Sequence, residues 1–306
     1  MRRHAAVLLL AGISSLLLTA CGSGAGGDRA GAGDGVVEVV ASTSVYGDLV
    51  RSVGGDKVRV TSIISRTSQD PHSYEATTQD KLSVSKAELV VENGGGYDDF
   101  LQKLAGDAGL GEKNLLDASE ASGLKTGAGA AFNEHVWYST SGMSRFADAL
   151  AEKLAALEPS SAADFRANAA ALKKDLGGLD ARLADLKAKA GKGGGVAITE
   201  PVPLYLLEAA GLENRTPKEY SAAIEDGSDV PPAVLRAAVD VVKSGGIRLL
   251  AYNPQTEGPQ TRALKDAATA AGVPVVEFGE TLPEGKTYLQ WMSGNVDALA
   301  KALGQG

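Results

Sequence analysis

Apolar residues in this chain come in short β-branched runs that alternate with segments of helical spacing. Residues 36–40, 58–64 and 89–92 are the first three runs, and the segments near 46–53 and 77–85 between them read as helices. Strand and helix in alternation predict a parallel sheet joined by crossover helices. From Ser160 to Ala190 the pattern changes. Phe165, Leu172, Leu176, Leu179, Leu183 and Leu186 hold one apolar stripe at helical spacing in a segment rich in Ala, Lys and Asp, which predicts a single long helix with a packing face. Gly177-Gly178 is where it would bend. Beyond it the alternation resumes, with strands expected at 195–199, 248–252 and 274–278 and helices at 202–210, 232–244, 260–271 and 285–303. The fold class expected is α/β: an N-terminal lobe over residues 36–158, a bridging helix over 159–191 and a C-terminal lobe over 192–306, with a cleft between two parallel-sheet cores. Ligands of open parallel sheets gather at the carboxyl ends of the strands.

The first residues follow a different logic. Residues 1–4 are a basic head, 5–18 an apolar run, and Leu18-Thr19-Ala20-Cys21 places small residues before a cysteine. The run falls short of the ~20 apolar residues that cross a bilayer. Residues 1–20 therefore read as a lipoprotein signal peptide and Cys21, the only cysteine, as the lipid attachment point. The Gly-rich stretch that completes residues 21–35 offers nothing to bury and reads as a flexible tether. The chain carries 30 basic and 38 acidic residues, and loss of Arg2 and Arg3 with the leader takes the net charge from −8 to 28 − 38 = −10. That balance excludes a nucleic-acid partner and a basic membrane-binding face. Roughly 270 residues remain, enough for two lobes with separate cores.

Chemistry concentrates on the histidines. There are three, and His4 leaves with the leader. The other two stand in matching frames, Asp70-Pro71-His72-Ser73-Tyr74-Glu75 and Asn133-Glu134-His135-Val136-Trp137-Tyr138, both in loops at the rim of the first lobe. Two such imidazoles point to a metal. Alone they would hold it weakly, so the second lobe is expected to add oxygen donors. Glu200 follows a strand directly and is backed by Pro201 and Pro203; Glu280 follows another and precedes Thr281-Leu282-Pro283. Glu277 is the nearest competitor for the last place. Asn253, at the end of a further strand, is a candidate to hydrogen-bond a ligand carboxylate, and Glu75 and Asn133 are weaker candidates of the same kind. Two glycine-rich stretches fail as phosphate loops: residues 191–195 precede a strand instead of opening a helix, and Asn93-Gly94-Gly95-Gly96 lacks the Lys-Ser/Thr pair, so it reads as a tight turn beside the cleft. A metal-dependent hydrolase needs a base beside an open water position, and no HExxH-type spacing is present. An adhesive lipoprotein with a structural metal is the other alternative.

The sequence of these pieces, DPHSYE, NEHVWY, the long Ala/Leu/Lys helix, TEPVPLYLLEAAGL, YNPQTEG and FGETLP, resembles the solute-binding lipoproteins of zinc and manganese ABC importers over nearly all of the mature chain. The resemblance implies two α/β lobes bridged by one backbone helix and a metal held by two groups from each lobe, here His72, His135, Glu200 and Glu280. It further implies one divalent transition metal, zinc or manganese, as transported ligand, an ABC permease as partner, no catalysis, a monomer, and residence on the outer face of the cell membrane through lipid on Cys21. Zinc members often carry a third histidine where Glu200 stands and a His-rich acidic loop that this chain lacks; manganese members typically carry a carboxylate there. Two imidazoles and two carboxylates make a harder shell than a tetrahedral zinc site, yet zinc would bind it at least as tightly. The sequence does not choose between zinc, manganese and iron.

Overall fold

The computed structural model describes residues 35–69, 71–125, 132–190 and 194–305. The leader, Cys21 and the tether up to residue 34 lie outside the described residues, as do Asp70 and the first three residues of the 191–195 stretch.

The first lobe runs β1 (Val37–Thr43), α1 (Ser44–Gly54), β2 (Val58–Ile64), α2 (Thr78–Val84), β3 (Leu89–Glu92), α3 (Asp99–Asp107), β4 (Leu115–Asp117), α4 (Ala118–Ala121) and α5 (Thr140–Leu157). Its four strands are parallel in the order β2-β1-β3-β4. After α6 (Ala162–Ala190) the second lobe runs β5 (Gly194–Ile198), α7 (Leu204–Ala209), β6 (Leu212–Asn214), α8 (Lys218–Glu225), α9 (Pro232–Lys243), β7 (Ile247–Tyr252), α10 (Pro259–Ala270), β8 (Val275–Glu277) and α11 (Tyr288–Ala302). Its sheet, also parallel, has the order β6-β5-β7-β8. Each sheet thus grows outward in both directions from its first strand, which puts a switch of direction, and a crevice at the strand carboxyl ends, in each lobe.

The central strands read correctly from sequence because both faces are covered: every residue of β3 and of β5 is buried, and such strands are continuous apolar runs. Four short elements were not foreseen, among them the four-residue α4. β4 and β6 are three residues long, too short to display a period, and α8 buries only Tyr220, Ser221 and Ile224. β1 continues past its apolar run to Thr43, with Ser42 and Thr43 buried.

Helix α6 carries 29 residues, about 43 Å at ~1.5 Å per residue. It passes through Gly177 and Gly178 without interruption. The stripe residues from Phe165 to Leu186 are all buried, packed on α1 and α5 at one end and on α7 and α11 at the other. The lobes therefore do not have fully separate cores. One buried cluster runs from Val39 and Leu49 through Leu176 and Leu183 to Ile198, Leu249 and Met292, and only the outer layers form clusters of their own. No helix among the described residues is long and apolar enough to cross a membrane.

Candidate metal centre

His135 sits immediately before a 3-10 turn, Val136–Tyr138, whose three side chains are buried and anchor the loop. The imidazole itself is 1% exposed, with its ring centre 5.2 Å from that of Trp137. Its orientation follows from Asn133. The Asn133 Nδ2 donates to the carbonyl of Pro201 at 3.0 Å, which can only accept, so Oδ1 is the atom that faces His135. That oxygen accepts from the His135 backbone N–H at 3.2 Å and lies 2.7 Å from Nδ1. Nδ1 must then carry the proton, and Nε2 presents a lone pair. Burial, with His72 adding to it, holds the His135 pKa well below its ordinary value of 6.5, so the ring is neutral and ready to ligate.

His72 lies in the loop between β2 and α2, its side chain 22% exposed. Its ring stands edge-on to Tyr97, centroids 4.9 Å apart, and 5.9 Å from His135. Tyr97 is delivered by the Asn93-Gly94-Gly95-Gly96 turn. Gly94, Gly95 and Gly96 have φ of +72°, +70° and +98°, a conformation other residues avoid, and a Cβ on Gly94 would fall 2.3 Å from the Asp117 carboxylate. The turn is glycine-rich to pass beside β4 and to seat an aromatic wall against both imidazoles.

Glu280 comes from the opposite lobe, after β8, and is 1% exposed. Asn253 Nδ2 donates to its Oε1 at 2.7 Å, and its backbone N–H donates to Gln255 Oε1 at 2.6 Å. Oε2 is turned to the imidazoles, 3.7 Å from His72 Nε2 and 3.8 Å from His135 Nε2. These donors all lie within 4.8 Å of one another. Atoms ~2.1 Å from a common ion and 3.7 Å apart subtend about 120° there, an angle that tetrahedral and five-coordinate shells both accommodate.

The other expected residues fall differently. Glu200 is 3% exposed at the end of β5, and its Oε2 accepts from Thr256 Oγ1. It belongs to neither set of mutually close donors found among the described residues, which are His72, His135 and Glu280, and Glu134, His135 and Glu225. Glu277 has a side chain 62% exposed and paired with Lys265 at 3.9 Å, away from the site. Glu75 is exposed. Asn253 holds Glu280 directly, and Asn133 holds His135. Not foreseen were Tyr97, Gln255, Thr256 and Glu225, the last on α8 with Oε1 3.9 Å from His135 Nδ1. Desolvation, then Glu134 and Glu200, push the Glu225 carboxyl up to about 8, so it is protonated at neutral pH. A cavity of about 410 Å³ lies against His72, bordered by Glu225 and by Asp226, Asp229 and Glu257, the last three making an acidic approach that favours cations.

The lobes are tied across the cleft by hydrogen bonds around this cluster. Tyr138 Oη donates to the Gly279 carbonyl at 2.8 Å, Tyr205 Oη to the Asn133 carbonyl at 2.7 Å, and Tyr288 Oη to the Trp137 carbonyl at 2.6 Å. Gln255 Nε2 reaches the Gln69 carbonyl at 3.0 Å.

Two parallel-sheet lobes on a single helical spine, with polar side chains of both meeting in a buried cleft, are the architecture of a bilobal solute-binding protein. Residues 39–302 match the family described as the periplasmic zinc-uptake complex component A, and the chain belongs to that family. Membership makes it a binding protein of metal transport and not an enzyme. It is 26% identical over 305 residues to the manganese-binding lipoprotein MntA of Halalkalibacterium halodurans, covering 96% of this chain and 97% of that one. With the protein of the same name from Bacillus subtilis it shares 32% identity over 177 residues, 55% of this chain and 54% of that one. The fold is that of the periplasmic zinc-binding protein TroA of Treponema pallidum, with TM-score 0.74 at 22% identity over 88% of this chain and 99% of that one.

Proposed function

We propose that this chain is the substrate-binding lipoprotein of an ABC importer, capturing one divalent transition metal, zinc or manganese, outside the cell membrane and handing it to the permease. The observation that carries the reading is the convergence of two imidazole Nε2 atoms from one lobe on a carboxylate oxygen of the other. His72, His135 and Glu280 are the proposed ligands, and Glu200 is the fourth, joining when its carboxylate exchanges the Thr256 hydroxyl for the metal. Ligation requires neutral imidazoles and an ionised carboxylate, which together make a net negative shell in a mostly buried cleft and favour a cation strongly. The relatives named for manganese support a manganese cargo, while the Irving–Williams order gives zinc the tighter binding in a test tube. Cys21 carries the lipid, residues 22–35 form the leash, and the protein acts as a monomer.

Elemental analysis of protein from its native envelope, followed by competition between zinc and manganese, tests this. One exchangeable metal per chain is expected, with affinity at least tenfold lower in His72→Ala and in His135→Ala. Wild-type affinity in either variant refutes the ligand assignment, and an absence of metal binding refutes the function.

A further inference from the structure

Asn133 touches both halves of the site. Its Oδ1 fixes the Nδ1 edge of His135 at 2.7 Å, its Nδ2 binds the carbonyl of Pro201 at 3.0 Å, and its own carbonyl is held by Tyr205 Oη at 2.7 Å. Pro201 directly follows Glu200, and Tyr205 is on α7, so the last two contacts are to the other lobe. We propose that Asn133 is a latch that couples the aim of the His135 imidazole to closure of the cleft. This rests on the reading of His135 as a metal ligand.

The physical basis is the rigidity of the amide. Its oxygen and nitrogen are fixed in one plane, so a ring held by the oxygen and a lobe held by the nitrogen cannot be set independently. When lobe two withdraws, Nδ2 loses the Pro201 carbonyl and Tyr205 releases the Asn133 backbone. The amide is then free to turn, and Nε2 loses its fixed aim at Glu280. In the other direction, a cation on Nε2 strengthens Nδ1–H as a donor and draws charge through the amide, which makes Nδ2–H a better donor to Pro201. Metal and closure therefore favour each other, and the coupling acts equally in both directions. Second contacts of this kind on ligating histidines commonly change metal affinity ten- to a hundredfold. Here the partner spans two lobes, so the effect is expected in release and in lobe motion together.

Three variants separate the two halves of the latch. Asn133→Asp keeps an oxygen for Nδ1–H but has no donor for Pro201, Tyr205→Phe removes the other of the two lobe-two contacts without adding charge, and Asn133→Ala removes everything the side chain does. Lys103 and Lys243, exposed on opposite lobes, accept spin labels as cysteines in a Cys21→Ser background. The expected result is zinc release into a chelator on the order of tenfold faster in Asn133→Asp and several-fold faster in Tyr205→Phe. Both should broaden the inter-lobe distance distribution, while the nitrogen NMR shifts of His135 in Asn133→Asp still report a protonated Nδ1. Wild-type release rates and distances in Asn133→Asp and Tyr205→Phe, with only Asn133→Ala impaired, overturn the latch and leave Asn133 as a support for the ring alone. If the wild-type chain binds no zinc, the function proposed above fails separately, and metal-free distances still decide the latch: unchanged widths in both variants refute it.

Discussion

Replacing Asn253 by Ala removes a side-chain donor from Glu280 Oε1, a 2.7 Å bond between residues that are 2% and 1% exposed. Hydrogen bonds to a charged group contribute ~1.5–3 kcal/mol, and a buried acceptor left without its partner costs a similar amount. The metal-free fold should lose about that much, which for a chain of this size lowers Tm by roughly 3–5 °C. The effect on metal binding is smaller than the full figure, because the bond exists with and without metal and a metal on Oε2 weakens Oε1 as an acceptor. What binding loses is the fixed aim of the carboxylate, on the order of tenfold in affinity and mainly in the off-rate. Thermal melts in chelator and competition titrations with zinc measure the two separately. A lowered Tm with affinity within twofold of wild type would mean that Asn253 supports the fold but that Glu280 does not bind metal. An unchanged Tm would contradict the hydrogen-bond argument itself.

Other outcomes follow from the same geometry. Glu200→His exchanges a carboxylate for one borderline nitrogen and should raise the zinc-to-manganese affinity ratio, chiefly through loss of manganese; an unchanged ratio in competition assays removes Glu200 from the ligand set. Cys21→Ala should move the protein from the membrane fraction to the soluble one with metal affinity unchanged, and retention in the membrane contradicts lipid attachment at that residue. Stability of the metal-free protein should fall between pH 6 and 8. Burial raises Glu225 to about 8, Glu92 to about 7 and Asp98 to about 6, so the folded chain keeps protons that the unfolded chain gives up near 4, and stability is lost as pH rises from there until each folded value is passed. His135 acts oppositely below 6.5, where the unfolded ring gains a proton that the buried ring refuses. Above 6.5 the carboxyls act alone, so melts in chelator should show Tm falling from about pH 6.5 to 8, and a Tm that climbs over that range contradicts these assignments.

What could be read from the sequence divides along a physical line. Strands buried on both faces announce themselves because each residue must be apolar, and the α6 stripe does so because a long helix between two lobes needs one continuous packing face. β4, β6 and α8 are held by their neighbours more than by their own pattern, so nothing local marks them. The same division holds in the site. His72 and His135 stand out because the chain has so few imidazoles, and Glu280 because it closes a strand at the crevice. Tyr97 does not, because its position depends on three left-handed glycines that turn the chain under it. Glu200 was placed by the same strand-end logic as Glu280, yet the side chain is turned to Thr256.

The difference between those two glutamates is informative. Glu280 is fixed by Asn253 through Oε1, which leaves Oε2 aimed at the imidazoles before any metal arrives; Glu200 has Oε2 occupied by a hydroxyl of its own lobe. In the proposed ligand set the preset group is two nitrogens and one oxygen, which zinc and manganese both accept and zinc binds the more tightly. A fourth donor already engaged in a hydrogen bond contributes most when the ion gains enough from another carboxylate to offset any disturbance of that bond. Manganese, which prefers oxygen and higher coordination numbers, gains more from this exchange than zinc does. Selectivity in this chain is then expected to reside in the Glu200–Thr256 pair. Thr256→Val, which frees the Glu200 carboxylate from its hydroxyl, should change the zinc-to-manganese ratio while leaving His72, His135 and Glu280 untouched.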